Sequence, residues 1–176
     1  MKEKIINIGA RPAIDTIKRE LGIGLIGVEV GVNKGHNASY ICNIVQPKLL
    51  YLIDPWNNFF DRASGEVIGE AQYLMTKQLL EPFTCCKIIK DYSYNAVKTF
   101  EDESLDFVYI DSEHSYPAVL QEVRQWYPKV KKGGILSGHD FTDTTPQVKN
   151  AVIDFCRENR IPQLKNQNED WWLTKE

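Results

Sequence analysis

The sequence predicts an α/β fold: a doubly wound, mostly parallel sheet that ends in a C-terminal antiparallel strand pair. Three observations carry this. Short apolar runs alternate with amphipathic segments along the chain, several runs close in glycine or aspartate, and the tail breaks the alternation with two short strand-like runs. A run feeding a helix and then a parallel run crosses over right-handed, so the strand ends gather on one edge.

Each element has its own signal. Residues 10–21 place Ile14, Ile17 and Leu21 on one helix face, and residues 25–30 form a buried-strand run closed by Gly31. Residues 36–46 fit a helix stopped by Pro47, and residues 49–53 form a second strand run closed by Asp54. A polar stretch, 57–69, precedes a helix over 70–80, a strand over 86–90, a helix over 93–100 and a strand over 105–110. The helix expected over 116–130 stops at Lys131-Lys132-Gly133-Gly134, basic residues and glycine being stop signals, and a strand begins at Ile135. Pro146 can open a helix running to about residue 160. Residues 161–164 and 171–173, around a polar turn, read as two antiparallel strands.

Composition narrows the class. The 176 residues, 43% hydrophobic and 26% charged, suit one domain over 1–176 with a sizeable core. A net charge of −3 argues against a protein that lives on nucleic-acid phosphates. No run approaches the ~20 apolar residues of a membrane span, and residues 1–5 show no secretory signal. Cys42, Cys85, Cys86 and Cys156 form no CxxC pair, so buried thiols in a cytoplasmic protein are expected, not a disulfide framework or structural zinc site.

Ligands of such sheets bind beyond the carboxyl ends of the strands. After the first strand, Gly31 and Gly35 bracket a turn where backbone N–H groups can approach a ligand, with Glu29 beside them. The literal G-x-G-x-x-G of Gly22, Gly24 and Gly27 precedes the strand, the wrong context for a dinucleotide fingerprint. Asp54 suits a ribose diol or a turn, and Trp56 a stacked base or the core. Asp91 and Ser93 follow the third strand, Ser93 as a helix cap. After the fourth and fifth strands come Asp111 with His114, and His139 with Asp140. Two of the three histidines thus stand beside carboxylates on one rim, as active sites arrange them. His36 reads as a helix-start residue; Trp126, Trp171 and Trp172 fit core packing or a homo-oligomer contact.

The pieces VEVGVNKG, YLIDPW and FVYIDSEHSYPAVLQEVRQWYPKVKKGGILSGHDF make the chain resemble a class I S-adenosylmethionine-dependent methyltransferase over nearly its full length. Within that Rossmann-like group, residues 106–141 are similar to macrocin-type sugar O-methyltransferases and cephalosporin-hydroxylase-like proteins. The resemblance implies that Glu29, Gly31 and Gly35 hold the methionine part of the cofactor, Asp54 the ribose, and Asp91 and Ser93 the adenine. It also implies that Asp111, His139 and Asp140 hold a divalent metal, Mg²⁺ by default, and that His114 is a general base. His139 departs from the acids or amide usual at its place. The expected reaction is O-methylation of a small-molecule or sugar hydroxyl. His114, near its ordinary pKa of ~6.5, would take the acceptor's proton. The 56–69 segment, with Phe59 and Phe60, is read as part of an acceptor lid. A metal-dependent hydrolase and a non-catalytic cofactor-binding module are the competing readings; the first leaves Glu29, Gly31 and Asp54 without a task.

Overall fold

Alternation along an inner strand of the sheet divides the molecule into two layers. In β1 (Ile26–Val30), Val28 and Val30 pack on one face of the sheet, while Gly27 makes room for the Phe107 ring on the other. The structure, a computed structural model, describes residues 9–61, 65–144 and 146–176. Residues 1–5, read above as carrying no leader, lie outside the described residues, as do residues 62–64 of the polar stretch.

The elements follow the expected alternation. They are α1 (Pro12–Leu21), β1, α2 (His36–Val45), β2 (Leu49–Ile53), β3 (Phe59–Asp61), β4 (Glu66–Ile68), α3 (Glu70–Leu80) and β5 (Cys86–Ile89). Then come α4 (Ser93–Ala96), β6 (Leu105–Ile110), α5 (Tyr116–Trp126), β7 (Val130–Gly138), α6 (Pro146–Glu158), β8 (Lys165–Gln167) and β9 (Asp170–Thr174). Among the described residues, seven strands form one sheet in the order β5-β2-β1-β6-β7-β9-β8. The first five are parallel and the last two antiparallel, which is the doubly wound arrangement with a C-terminal strand pair. α1, α2 and α3 cover the face of Leu50, Leu52 and Tyr109; α4, α5 and α6 cover the face of Val28, Val108 and Leu136.

Three boundaries differ from the sequence reading. The polar stretch contains an antiparallel hairpin, β3 with β4, pairing Phe59 with Ile68 and Phe60 with Val67. Lys131 to Gly134 do not stop a helix: α5 ends at Trp126, a 3₁₀ turn follows, and β7 already starts at Val130. The register against β6 jumps from Leu105↔Val130 to Phe107↔Ile135, and the extra residues pair elsewhere, Gly133 N–H donating to Lys175 O at 2.7 Å. Glycine and lysine serve a bulged strand as readily as a helix end. Lastly, the penultimate strand is β8 at Lys165–Gln167, because those backbones pair with Trp172, Trp171 and Asp170, while Ile161 and Leu164 pack on the core without strand pairing.

The tryptophans are spent internally. Trp126, Trp171 and Trp172 are buried in the chain's own core, the last two on opposite faces of the sheet, which removes the oligomer-contact reading. Asp170 ties the tail to both layers: it accepts Ala13 N–H at the start of α1 (2.9 Å) and the Tyr109 hydroxyl of β6 (2.8 Å). A carboxylate at a helix N-terminus is favoured by the helix dipole. Among the described residues no helix is long and apolar enough to cross a membrane.

Candidate active site at the carboxyl ends of the strands

The carboxyl ends of β1, β2 and β6 open onto a cleft of about 1310 Å³, lined by Glu29, Gly31, Asp54, Ser93, Asp111 and His114 among others. That exceeds the ~300–1,000 Å³ typical of a single-ligand pocket, so it has room for two reactants.

The glycine turn is built by necessity. Gly31 has φ +86°, and a Cβ there would collide with the backbone carbonyl of Asp111, so only glycine lets the ends of β1 and β6 meet. Gly35, at φ +78°, enters α2 in the left-handed conformation. Beneath this turn Glu29 is fully buried; its Oε1 accepts Asn37 Nδ2–H at 3.1 Å and its Oε2 has no hydrogen-bond partner among the described residues. Burial pushes its carboxyl well above the usual range. Such an acid retains capacity to bond a polar ligand atom.

Asp54 organises the turn. Its Oδ2 accepts Val32 N–H (3.0 Å) and Asn33 N–H (2.9 Å), and its Oδ1 accepts Trp56 N–H (2.9 Å). Burial raises its pKa even against these three bonds. Trp56 is in the core, packed on Tyr73, with its indole N–H donated to Asn33 O at 2.9 Å, so it is not free to stack on a base. Lys34 reaches across to Glu66 at 2.6 Å, joining the turn to the β3–β4 hairpin, whose Phe59 and Phe60 stand exposed at the cleft mouth.

Ser93 differs from expectation. It is the first residue of α4 and makes no cap; its hydroxyl accepts the Trp126 indole N–H at 2.9 Å. Asp91 does the local bonding instead, accepting Tyr92 N–H (2.7 Å) and Asn95 Nδ2–H (3.2 Å). Behind Ser93 lies a residue the sequence reading passed over. Glu122 of α5 is buried, accepts the Ser112 hydroxyl, lines the cleft, and is pushed up to about 7 by burial. Its only sequence signal is an acid on the apolar side of an amphipathic helix.

The rim cluster assembles. His114 Nε2 lies 3.0 Å from Asp140 Oδ2 and 3.7 Å from Asp111 Oδ1, and His139 Nδ1 lies 3.3 Å from Asp140 Oδ2. One ligand atom each from Asp111, His139 and Asp140 falls within 4.8 Å of the others. Asp140 adopts φ +59°, in the left-handed region. Burial opposes ionisation of Asp140, but contact with His114 and His139 wins and holds its carboxyl well below the usual range. The carboxylates of Asp111 and Asp140 raise His114 to about 10. The two carboxylates thus favour the protonated form of His114, where an ordinary imidazole was expected. Glu169, 3.5 Å from His139 Nε2, joins the cluster from the tail, which no local pattern announces. The G-x-G-x-x-G run of Gly22, Gly24 and Gly27 forms no ligand turn, since Gly22 caps the end of α1 and Gly27 lies inside β1. His36 opens α2 at the cleft edge.

Comparison with known proteins identifies the family and the fold. The model of a family described as a methyltransferase domain matches residues 28–141. A search of curated proteins by sequence finds no match. Among solved structures, the O-methyltransferase NovP superposes with a TM-score of 0.74 at 15% identity, over 93% of this chain and 78% of its own. A Streptococcus mutans protein solved in complex with SAH gives 0.69 at 15% identity, over 96% of this chain and 100% of its own. An rRNA methylase from Streptococcus thermophilus gives 0.67 at 15%, over 100% and 99%.

Proposed function

The chain belongs to the family of S-adenosylmethionine-dependent methyltransferase domains, and from that premise we propose that it methylates a hydroxyl of a small molecule or sugar with the help of a divalent ion. Residues 1–176 act as one domain in this reading. The observation that carries it is the convergence of Asp111, His139 and Asp140, of which Asp111 lines the cleft shared with the Gly31–Gly35 turn. NovP, the superposed protein named as an O-methyltransferase, supports the choice of oxygen as acceptor.

The donor set fits a metal. Two carboxylates with one imidazole form a mixed oxygen and nitrogen site, and the imidazole moves preference from Mg²⁺ toward Mn²⁺ or Fe²⁺. When bound, S-adenosylmethionine supplies an electrophilic methyl group and the ion supplies Lewis acidity. The chain's residues do the rest. Glu29, with a free buried oxygen, and the N–H groups of the glycine turn address the amino acid end of the cofactor. Asp54 shapes the turn that receives the ribose, and Asp91 with Ser93 borders the adenine. Phe59 and Phe60 wall the acceptor side. Such positioning can supply ~7–11 kcal/mol of a displacement barrier.

In this reading His114 takes the acceptor's proton, provided Asp111 and Asp140 spend their charge on an ion. Otherwise their field keeps it protonated. The test is release of S-adenosylhomocysteine across a panel of hydroxyl acceptors, before and after chelation. Turnover that is lost on chelation, restored by Mn²⁺ or Mg²⁺, and abolished in Asp111→Asn supports the reading. Turnover indifferent to chelation overturns the metal, and cofactor binding without turnover on any acceptor favours a binding module.

A further inference from the structure

Three of the four cysteines meet outside the cleft. Cys42 projects from α2, Cys85 from the turn before β5, and Cys86 from the first position of β5. Cys42 Sγ lies 3.8 Å from Cys85 Sγ and 3.4 Å from Cys86 Sγ, and all three sulfurs fall within 4.8 Å of one another. None of the three lines the cleft. Neighbouring residues within a strand point to opposite faces. Here Cys85 lies just before β5, anchored by Leu50 N–H donating to its carbonyl at 2.8 Å, and this lets both sulfurs reach the same partner.

We propose that Cys42, Cys85 and Cys86 form a three-thiolate site for Zn²⁺, with solvent water as the fourth ligand. The spacing is the argument. Tetrahedral Zn²⁺ holds thiolates at about 2.3 Å, which sets the sulfur–sulfur edge near ~3.8 Å. The two distances from Cys42 meet that edge to within a few tenths of an ångström. Softness agrees, since thiolates select zinc over the oxygen-preferring ions suited to the rim. Access agrees as well: Cys42 is buried while Cys85 and Cys86 are partly exposed, giving the ion an entry path and the water a place. On binding, the three thiols release their protons to solvent and the site carries one net negative charge. The ion would clasp α2, which opens at the glycine turn, to the edge strand β5, which leads into Asp91 and Ser93. It is thus a clamp on the cofactor-binding half, outside the cleft itself.

The experiment uses the full chain, reduced and anaerobic, in the Asp111→Asn/Asp140→Asn background so that the rim does not compete. Co²⁺ is the reporter, because thiolate ligation gives an intense near-ultraviolet charge-transfer band that oxygen and nitrogen ligands do not. We expect one equivalent of Co²⁺ to produce the band, Zn²⁺ to displace it, and Zn²⁺ to raise the melting temperature. Cys42→Ser should lose the band, and so should Cys86→Ala, whose half-exposed position spares the core. Cys156→Ser, on the other face of the sheet, should keep it. Absence of the band, its survival in Cys86→Ala, or a metal-treated chain that proves two hydrogens lighter through a disulfide overturns the proposal.

Discussion

His114 Nε2 stands 3.0 Å from Asp140 Oδ2, so the loop after β6, where His114 lines the cleft, is joined to the loop after β7 through one charge pair. With Asp111 on its other side, His114 is raised to about 10. An ion on those carboxylates removes the cause. We expect the His114 imidazole, followed by NMR in chelator, to titrate near 10, and to fall by ~2 units or more on addition of diamagnetic Mg²⁺. An unmoved titration denies the ion its place at Asp111 and Asp140. In chelator the sign of the stability effect follows: the folded pKa exceeds the unfolded value, so the contribution is full below about pH 6.5 and disappears as pH rises through 10.

A base acts in the transition state. His114→Ala is therefore expected to lower single-turnover methylation ~10²-fold or more while cofactor affinity, read by calorimetry, barely changes. Near-normal chemistry in that variant leaves His114 with only its structural contact to Asp140.

Asp54→Ala should reduce stability and cofactor affinity together. The substitution orphans three backbone N–H groups, those of Val32, Asn33 and Trp56, at a cost of ~1–3 kcal/mol for each that water does not reach. A melting curve alongside calorimetric titration checks this. Weakened binding with unchanged melting would assign Asp54 to the ribose alone.

Glu122 makes stability depend on pH in the sense opposite to a paired carboxylate. Its folded pKa of about 7 lies above the unfolded 4.5, so the folded chain holds a proton that the unfolded chain has lost. The contribution is full below about pH 4.5 and falls as pH rises to 7, by on the order of 3 kcal/mol. Glu122→Gln should flatten this, melting above the parent at pH 8 and near it at pH 5. Parallel melting profiles would show that Glu122 is ionised in place.

Gly31→Ala and Gly133→Ala separate strain from collision. Both glycines have positive φ, but a Cβ at Gly133 meets nothing within 4 Å, whereas one at Gly31 strikes the Asp111 carbonyl. Gly133→Ala should cost ~1–2 kcal/mol, and Gly31→Ala upward of ~3 kcal/mol with loss of cofactor binding. Denaturant midpoints measure both.

Legibility followed the range of the interaction. The starts of α2, β2, α3 and β6 were readable because apolar period, glycine and proline act within a few residues. The bulge in β7 was not. Lys131 to Gly134 carry helix-stop chemistry, and only pairing with Asp106 and Lys175, distant in sequence, makes them strand.

By itself the sequence determined the alternation of strands and helices, hence the sheet, its handedness and the edge where Glu29, Asp54, Asp111 and Asp140 had to gather, since these depend on local periodicity and a chiral crossover. Tertiary structure alone decided what those groups became. It turned Asp54 inward onto backbone N–H groups, set His114 between two carboxylates, buried Glu122, and brought Cys42 to Cys85 and Cys86. Protonation and ligation are set by desolvation and by charges a few ångströms away, and those neighbours come from segments tens of residues apart.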